Sequence, residues 1–277
     1  MAIILRVRLL EIAQITFIGF VGVLYAAPVA LADYALWLGA LGCQIACAYY
    51  LNDFFDWSAD THNPRKPTPL PRPILYKLIV ASAVLSFVLA AMLDTRQMIF
   101  IGISHIAGVL YSCPPFRWKE KTGAPLVGHF FMGFIYSYSS TMLGRSDAGL
   151  IDILWGLFWG IVLASASLNN EIIDAESDRR AGIRTLGNTW AQAQSAAALF
   201  SIQMMAIIML AILHLSIGYQ FTAVVAGAGA FALTCCRNIG TVNPLAYQQR
   251  YRLIFAIMIV VSIIERMMHL TGMPHAL

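Results

Sequence analysis

The segment YYLNDFFDWSADTHNPRK, residues 49–66, places three aspartates at the end of a long apolar run. Asp53, Asp56 and Asp60 are spaced by three and four residues, so on a helix they share one face. Like charges on one face repel one another and raise the free energy of the ionised carboxylates. The spacing therefore predicts a positively charged partner that offsets this repulsion.

A second acidic segment, NNEIIDAESDRRAGIRT, also contains aspartates at helical spacing. Its Asp174 and Asp178 stand one helical turn apart and face the same way. Asn52 and Asn170 each join their cluster at the predicted membrane boundary. We call Asn52–Asp60 the first motif and Asn170–Asp178 the second motif. Basic residues follow both: Arg65 and Lys66 after the first, and Arg179, Arg180 and Arg184 after the second.

These residue types point to a metal-bound phosphate. Carboxylates supply hard oxygen ligands, which suit Mg²⁺ bound through a few carboxylates, waters and substrate phosphates. Together with the basic residues, a metal ion can hold a diphosphate and stabilise it as a leaving group. A single DxxxD spacing is typical of any charged loop that solvates a helix end. Two such clusters favour a repeat-like, two-lobed site at the mouth of a helical bundle.

The elements that position these residues are membrane helices. Apolar residues make up 59% of the chain and charged residues 12%, about half the charged content of a soluble domain. We predict an all-α membrane protein with about nine transmembrane helices in one bundle around a central chamber, and a single domain over residues 1–277. The apolar stretches are roughly 12–32, 34–51, 74–93, 98–112, 124–144, 151–169, 194–214, 218–234 and 251–270.

Charge placement predicts the topology. With nine spans, the N-terminus and loops 2–3, 4–5, 6–7 and 8–9 share one side of the membrane. Of the 18 Lys and Arg residues, only Arg96, Arg145 and Arg266 fall on the other side. This bias places both motifs in the cytoplasm. It also accounts for the net charge of +4, and because no RNA- or DNA-binding pattern accompanies the charge, no nucleic-acid partner is expected.

Three segments carry a resemblance to a known family. NDFFDWSAD resembles the NDxxDxxxD motif of the UbiA superfamily of intramembrane prenyltransferases. NNEIIDAESDRRAGIRTL resembles that family's second aspartate motif, with its trailing D-[RK]-x-x-G-x-x-T-L. YSCPPFRWK, residues 111–119, is similar to the family's YSxPPxRxK loop. Two segments depart from the pattern: NPRKPTPLPRP only loosely matches N-x-x-R-P-x-P, and TLGNTWA replaces T-L-P-V-x-x-G.

The resemblance implies roles residue by residue. It implies metal binding by the carboxylates of both motifs, Asp53, Asp56, Asp60, Asp174 and Asp178, with Asp53, Asp56, Asp174 and Asp178 as the catalytic set. It implies diphosphate binding by six further residues: Asn52, Arg65, Lys66, Lys119, Asn170 and Arg179.

The implied reaction is Mg²⁺-dependent transfer of a prenyl group from a prenyl diphosphate to a hydrophobic acceptor in the bilayer, with an aromatic acceptor favoured. Ionisation would leave an allylic cation in an apolar chamber, where rings such as Phe54, Phe55 and Trp57 can stabilise it. One alternative is a terpene cyclase of the same superfamily, in which the substrate's own alkenes quench the cation. Another is an ion or solute transporter, which the position of the carboxylates at span ends disfavours.

Overall fold

The computed structural model describes residues 8–24, 29–61, 69–180 and 182–191, and several short pieces between residues 194 and 209. Within these residues every regular element is helical. The predicted all-α class is therefore confirmed for the described part of the chain. The predicted stretches 218–234 and 251–270 lie outside the described residues.

Each of the first six predicted stretches overlaps mainly with one helix, although the first, 12–32, runs past the end of the first helix at Leu24 and reaches the start of the second at Leu31. The helices are α1 (Leu9–Leu24), α2 (Leu31–Thr61), α3 (Arg72–Ala91), α4 (Thr95–Ser112), α5 (Ala124–Thr141) and α6 (Leu150–Arg180). A short 3₁₀ turn, Trp118–Glu120, precedes α5, and a one-turn helix, α7 (Leu186–Thr189), follows α6.

Helices α2 and α6 carry the two motifs. Each has 31 residues, which corresponds to about 46 Å at 1.5 Å per residue. This length exceeds the roughly 30 Å of a hydrocarbon core, so each helix continues past its apolar part. The predicted stretches 34–51 and 151–169 ended where the polar residues begin, but the backbone remains helical through Asp53, Asp56, Asp174 and Asp178.

Within the part of the chain that the structure describes, three helices are long and apolar enough to cross a membrane by length and composition, over residues 31–58, 72–91 and 150–176. Helix α3 shows the pattern of a lipid-facing helix, because it buries the small polar residues Ser82 and Ser86 and exposes Val80, Val84 and Val88. The buried serines satisfy their hydroxyls locally, with Ser82 donating to the Leu78 carbonyl at 2.6 Å.

The chain divides into two compact units. The first unit comprises Met1–Lys119 and Ile135–Ala148, and the second comprises Glu120–Phe134 and Gly149–Leu277. In the first unit α2 packs against α1, α3 and α4. In the second unit α6 packs against α7, around a core that contains Leu168, Leu186 and Leu199. The single domain over 1–277 remains a prediction.

Close packing in the first unit fixes the position of α1. A Cβ atom on Gly22 would lie 2.9 Å from the Ser137 carbonyl oxygen and 2.7 Å from the Ser140 Cβ atom, so only glycine fits. The Trp37 indole N–H donates to the Ser140 hydroxyl at 2.8 Å. Together these contacts join α1, α2 and the residues 135–141 of α5. At the other end of α1, the ion pair between Arg8 and Asp53 joins its start to the first motif.

Candidate active site

Asp53 of the first motif is buried, at 6% exposure, and is held by Arg8. The Arg8 Nε donates to Oδ2 at 3.0 Å and its Nη2 donates to Oδ1 at 2.5 Å, so the guanidinium engages both carboxylate oxygens. The same guanidinium lies over the Tyr49 ring, 5.4 Å from its centroid. Arg8 is thus the positive partner that the aspartate spacing requires at Asp53.

The protonation state of Arg8 follows from its surroundings. Burial acts to lower the pKa of Arg8, but the ion pair with Asp53 outweighs burial and raises that pKa above its ordinary value. The guanidinium therefore stays charged. From the sequence, Arg8 is only one of the cations on the predicted cytoplasmic side, because no motif links it to an aspartate 45 residues away.

Asp56 receives its positive charge from the YSCPPFRWK loop. The Lys119 ammonium pairs with Asp56 Oδ2 and also donates to the Asn52 Oδ1 at 2.9 Å. The Arg117 Nη2 donates to Asp56 Oδ1 at 3.3 Å. The structure therefore brings together three predicted site residues, Asn52, Asp56 and Lys119. It adds Arg117, which lies in the same YSCPPFRWK segment and was not among the predicted site residues.

The YSCPPFRWK loop, which places Arg117 and Lys119 against Asp56, contains an unusual backbone conformation. Arg117 has a φ of +37°, in the left-handed region that residues other than glycine rarely adopt. Such conformations cost free energy and persist where surrounding contacts hold them. Here the ion pair with Asp56 supplies such a contact, and Lys119 is only 12% exposed.

The aromatic residues of the first motif contact a cation in the structure. The Arg72 guanidinium lies 5.6 Å from the Phe54 ring centroid and 5.5 Å from that of Trp57. The Trp57 indole N–H donates to the Leu70 carbonyl at 3.0 Å. These ring faces are thus suited to a cation, although stabilisation of an allylic cation by them remains a prediction.

Other predicted residues of this region are described only in part. The backbone of Asp60 lies in the last turn of α2, and its side chain is outside the described atoms. Arg65 and Lys66 lie outside the described residues. Their assigned roles remain predictions.

The second motif lies on the last turns of α6, and its side chains differ in exposure. Asn170 and Asp174 are exposed and Asp178 is half-buried. The Thr185 hydroxyl donates to Asp178 Oδ2 over a long 3.4 Å. Arg179, a predicted diphosphate ligand, donates to the exposed Glu176 at 2.6 Å, and Arg180 donates to the same carboxylate at 3.0 Å.

Glu171 links the second motif to the TLGNTWA segment. Its carboxylate, at 7% exposure, accepts the Leu186 N–H at 2.8 Å and also interacts with the Gly187 N–H. A Cβ atom on Gly187 would collide with the Glu171 carbonyl and lie 2.8 Å from the Ile172 nitrogen. A proline at this position, as in the family pattern, has no N–H to donate and would not fit. The departure from T-L-P-V thus has a structural reason.

The donor atoms of the first motif fit Mg²⁺ bound together with a phosphate. Among the described residues, no three His, Cys, Asp or Glu side chains converge into a metal-ligand set. Asn52, Asp53 and Asp56 still offer hard oxygen atoms from one helix. Mg²⁺ is usually held by one or two carboxylates plus waters and substrate phosphates, and not by an all-protein cage.

Comparison with known proteins identifies the family. The sequence profile of the UbiA prenyltransferase family matches residues 15–260. The chain belongs to this family. The predicted family is therefore confirmed; its members are transferases embedded in the membrane.

Among relatives of this UbiA family member are two proteins named lycopene elongase/hydratase. The one from Corynebacterium glutamicum is 26% identical over 170 residues, which cover 56% of this chain and 58% of the relative. The one from Haloarcula japonica is 28% identical over 146 residues, which cover 50% of this chain and 47% of the relative. The chain thus matches about half the length of these relatives.

Solved structures share the fold. A UbiA homologue from Archaeoglobus fulgidus bound to GPP and Mg²⁺ matches 96% of this chain and 99% of its own, with a TM-score of 0.73 and 16% identity. An apo UbiA homologue from Aeropyrum pernix matches 95% of this chain and 97% of its own, with a TM-score of 0.68 and 18% identity. These likenesses show that the chain has the UbiA fold.

Proposed function

We propose that the chain catalyses Mg²⁺-dependent transfer of a prenyl group from a prenyl diphosphate to a hydrophobic acceptor within the membrane. The observation that carries this proposal is the surroundings of the first motif. Two carboxylates on one helix face are met by three cations, Arg8, Arg117 and Lys119. The excess of positive charge suits a diphosphate, and the carboxylates suit the metal ion that accompanies it.

The carboxylates of both motifs are the proposed metal ligands. Asp53 and Asp56 of the first motif and Asp174 and Asp178 of the second would hold Mg²⁺, which neutralises charge on the departing diphosphate when it is bound. Asp60 at the end of the first motif is a further proposed ligand. The Archaeoglobus homologue bound to GPP and Mg²⁺ supports the choice of this metal and substrate class.

The chain's own cations bind and orient the diphosphate. Lys119 presents a compact ammonium that Asn52 orients through a 2.9 Å hydrogen bond, and Arg117 presents a planar guanidinium suited to two phosphate oxygens. Arg65, Lys66, Arg179 and Asn170 are proposed as further diphosphate ligands from the family resemblance.

The bond changes of the proposed reaction follow from this binding. The allylic C–O bond breaks and its electron pair leaves with the diphosphate, whose charge the metal and cations stabilise. The π electrons of the acceptor then form the new carbon–carbon bond to the allylic carbon. The positive charge passes to the acceptor, which then either loses a proton to restore a double bond or adds a water molecule that loses a proton to become a hydroxyl group. The apolar helices exclude bulk water from the cation until the acceptor reacts.

The acceptor class has two candidates. The family resemblance favours an aromatic acceptor, whereas the names of the Corynebacterium and Haloarcula relatives indicate lycopene, a long acyclic polyene. The cyclase alternative requires no separate acceptor. These three possibilities differ in what must be added before diphosphate is released and in which product forms.

The test is a product analysis with purified protein in lipid nanodiscs. Mg²⁺ and dimethylallyl, geranyl or geranylgeranyl diphosphate are supplied with an aromatic acid, with lycopene, or with no acceptor, and the products are identified by mass spectrometry. We expect a prenylated acceptor whose formation matches diphosphate release. A cyclic hydrocarbon formed without acceptor would replace this proposal with the cyclase reaction. No diphosphate release under any of these conditions would refute both.

A further inference from the structure

Arg8 occupies the atoms that a metal ion would need. Its guanidinium engages both oxygens of the Asp53 carboxylate at 2.5 and 3.0 Å. The two-point contact occupies the face of the carboxylate on which a divalent cation chelated by both oxygens would lie. Arg8 and a metal ion chelated by Asp53 are therefore alternative partners.

Neither partner can leave Asp53 without replacement. Asp53 is 6% exposed, and a buried carboxylate that loses its counter-ion pays a large desolvation cost. The Arg8 side chain is 23% exposed and loses its two-point ion pair once a metal has taken Asp53, so a nearby anion would stabilise it. Tyr49 keeps it close, because the guanidinium lies 5.4 Å from that ring's centroid.

We propose that Arg8 is a substrate-binding residue that exchanges partners. Before ligands bind, it neutralises Asp53; when a metal–diphosphate complex binds, it moves to the diphosphate. This inference rests on the proposed function, since it takes Asp53 as a metal ligand. A guanidinium matches phosphate oxygens as well as carboxylate oxygens, so the diphosphate offers Arg8 an equivalent partner. Asp56 shows the same arrangement with Lys119 and Arg117.

The exchange makes metal and diphosphate binding mutually dependent. A metal ion alone must displace Arg8 and leave it without an anion, so it binds weakly. A diphosphate that arrives with the metal supplies the missing anion. Each ligand therefore raises the affinity for the other, and by linkage the two enhancements are equal. Removing the positive charge of Arg8 should weaken this coupling.

The experiment measures two affinities with opposite expected changes. Mn²⁺ binding without diphosphate is followed by electron paramagnetic resonance, and binding of an unreactive geranyl thiolodiphosphate at saturating Mn²⁺ is followed by calorimetry. For Arg8→Gln we expect Mn²⁺ alone to bind about fivefold more tightly and the analogue to bind about tenfold more weakly. Lys77→Gln, which removes an exposed cation of the same unit, should change neither affinity.

Thermal unfolding provides a check that does not depend on affinity. Arg8→Gln removes the guanidinium that neutralises Asp53. The Tm of this variant should therefore fall in the absence of metal and recover when Mn²⁺ is added. Arg8→Lys retains a charge without the two-point contact and should lie between wild type and Arg8→Gln in both affinities. If Arg8→Gln does not fold, Arg8→Lys carries the test, with the same two directions of change.

The outcomes separate this inference from the proposed function. Weaker Mn²⁺ binding by the Arg8 variants, or unchanged affinity for the analogue, would overturn the partner exchange and leave Arg8 a purely structural residue. Wild-type protein that binds the analogue equally well with and without Mn²⁺ would refute the proposed function itself.

Discussion

At Asp56 the charges of the first motif converge, since Lys119 and Arg117 both pair with its carboxylate. The predicted positive partner of the aspartates is therefore found at this residue. The aspartate spacing predicted that such a partner exists, and the family resemblance identified Lys119. Arg8 could not be predicted in the same way, because its contact with Asp53 depends on how α1 packs against α2.

Asp56→Asn tests the role of this carboxylate. The variant keeps the shape of the side chain but weakens metal binding, so we expect turnover to fall at least about 10²-fold, or roughly 3 kcal/mol of transition-state stabilisation. Loss of these largely buried ion pairs should also lower the Tm, because it leaves Lys119 and Arg117 without their carboxylate. Turnover and Tm are measured on the same preparation. Near-normal turnover at an unchanged Tm would refute a metal-binding role for Asp56.

Lys119→Gln tests diphosphate binding. The variant removes a cation that lies between Asn52 and Asp56, so we expect KM for the prenyl diphosphate to rise about tenfold, since each 1.4 kcal/mol of lost binding is a factor of ten. Lys121→Gln, an exposed neighbour in the sequence, is the matched control and should leave KM unchanged. Equal effects of the two substitutions would indicate a general loss of positive charge and not a specific contact.

At the scale of helices and loops, apolar stretches predicted where α1 to α6 lie but not where α2 and α6 end. Hydropathy falls after residues 51 and 169, whereas the helical backbone continues through the polar residues of the two motifs. The docking of the TLGNTWA segment was also not predicted. It depends on the contact of Glu171 with Leu186 and Gly187, and sequence alone does not bring residues 15 positions apart together.

Gly187→Ala tests this docking. The added Cβ atom would meet the backbone of α6 at Glu171 and Ile172, which cannot move aside like a side chain. We expect overpacking to lower the stability by about 1–3 kcal/mol, seen as a lower Tm. Gly102→Ala is the control, because its Cβ atom would be 3.9 Å from the nearest atom, on Phe87. If the Gly187 variant were as stable as wild type, the segment would not be docked as described.

At the scale of the whole molecule, composition and charge predicted a membrane protein, and the motifs predicted the UbiA fold. The family match and the likeness to solved UbiA structures support both predictions. The sidedness rests on the distribution of Lys and Arg alone. Chamber depth and acceptor choice could not be predicted, because they depend on how side chains of several helices pack and not on any local pattern.

Single cysteines test the sidedness in a variant without the five native cysteines. Cysteine at Ser58 or Ser177, within the two motifs, should react with a membrane-impermeant maleimide in inverted vesicles and be protected in right-side-out vesicles. Cysteine at Asp147, in the exposed loop before α6, should show the opposite pattern. Protection of positions 58 and 177 in inverted vesicles would contradict a cytoplasmic location of the motifs.

The metal dependence of diphosphate release tests the central claim most directly. Purified protein receives a prenyl diphosphate and an acceptor, and released diphosphate is measured with Mg²⁺, with excess EDTA, and after Mg²⁺ or Mn²⁺ is restored. We predict release with Mg²⁺, none in EDTA and recovery on restoration, because the carboxylates of the two motifs would otherwise repel the diphosphate. Full turnover in excess EDTA would contradict the account.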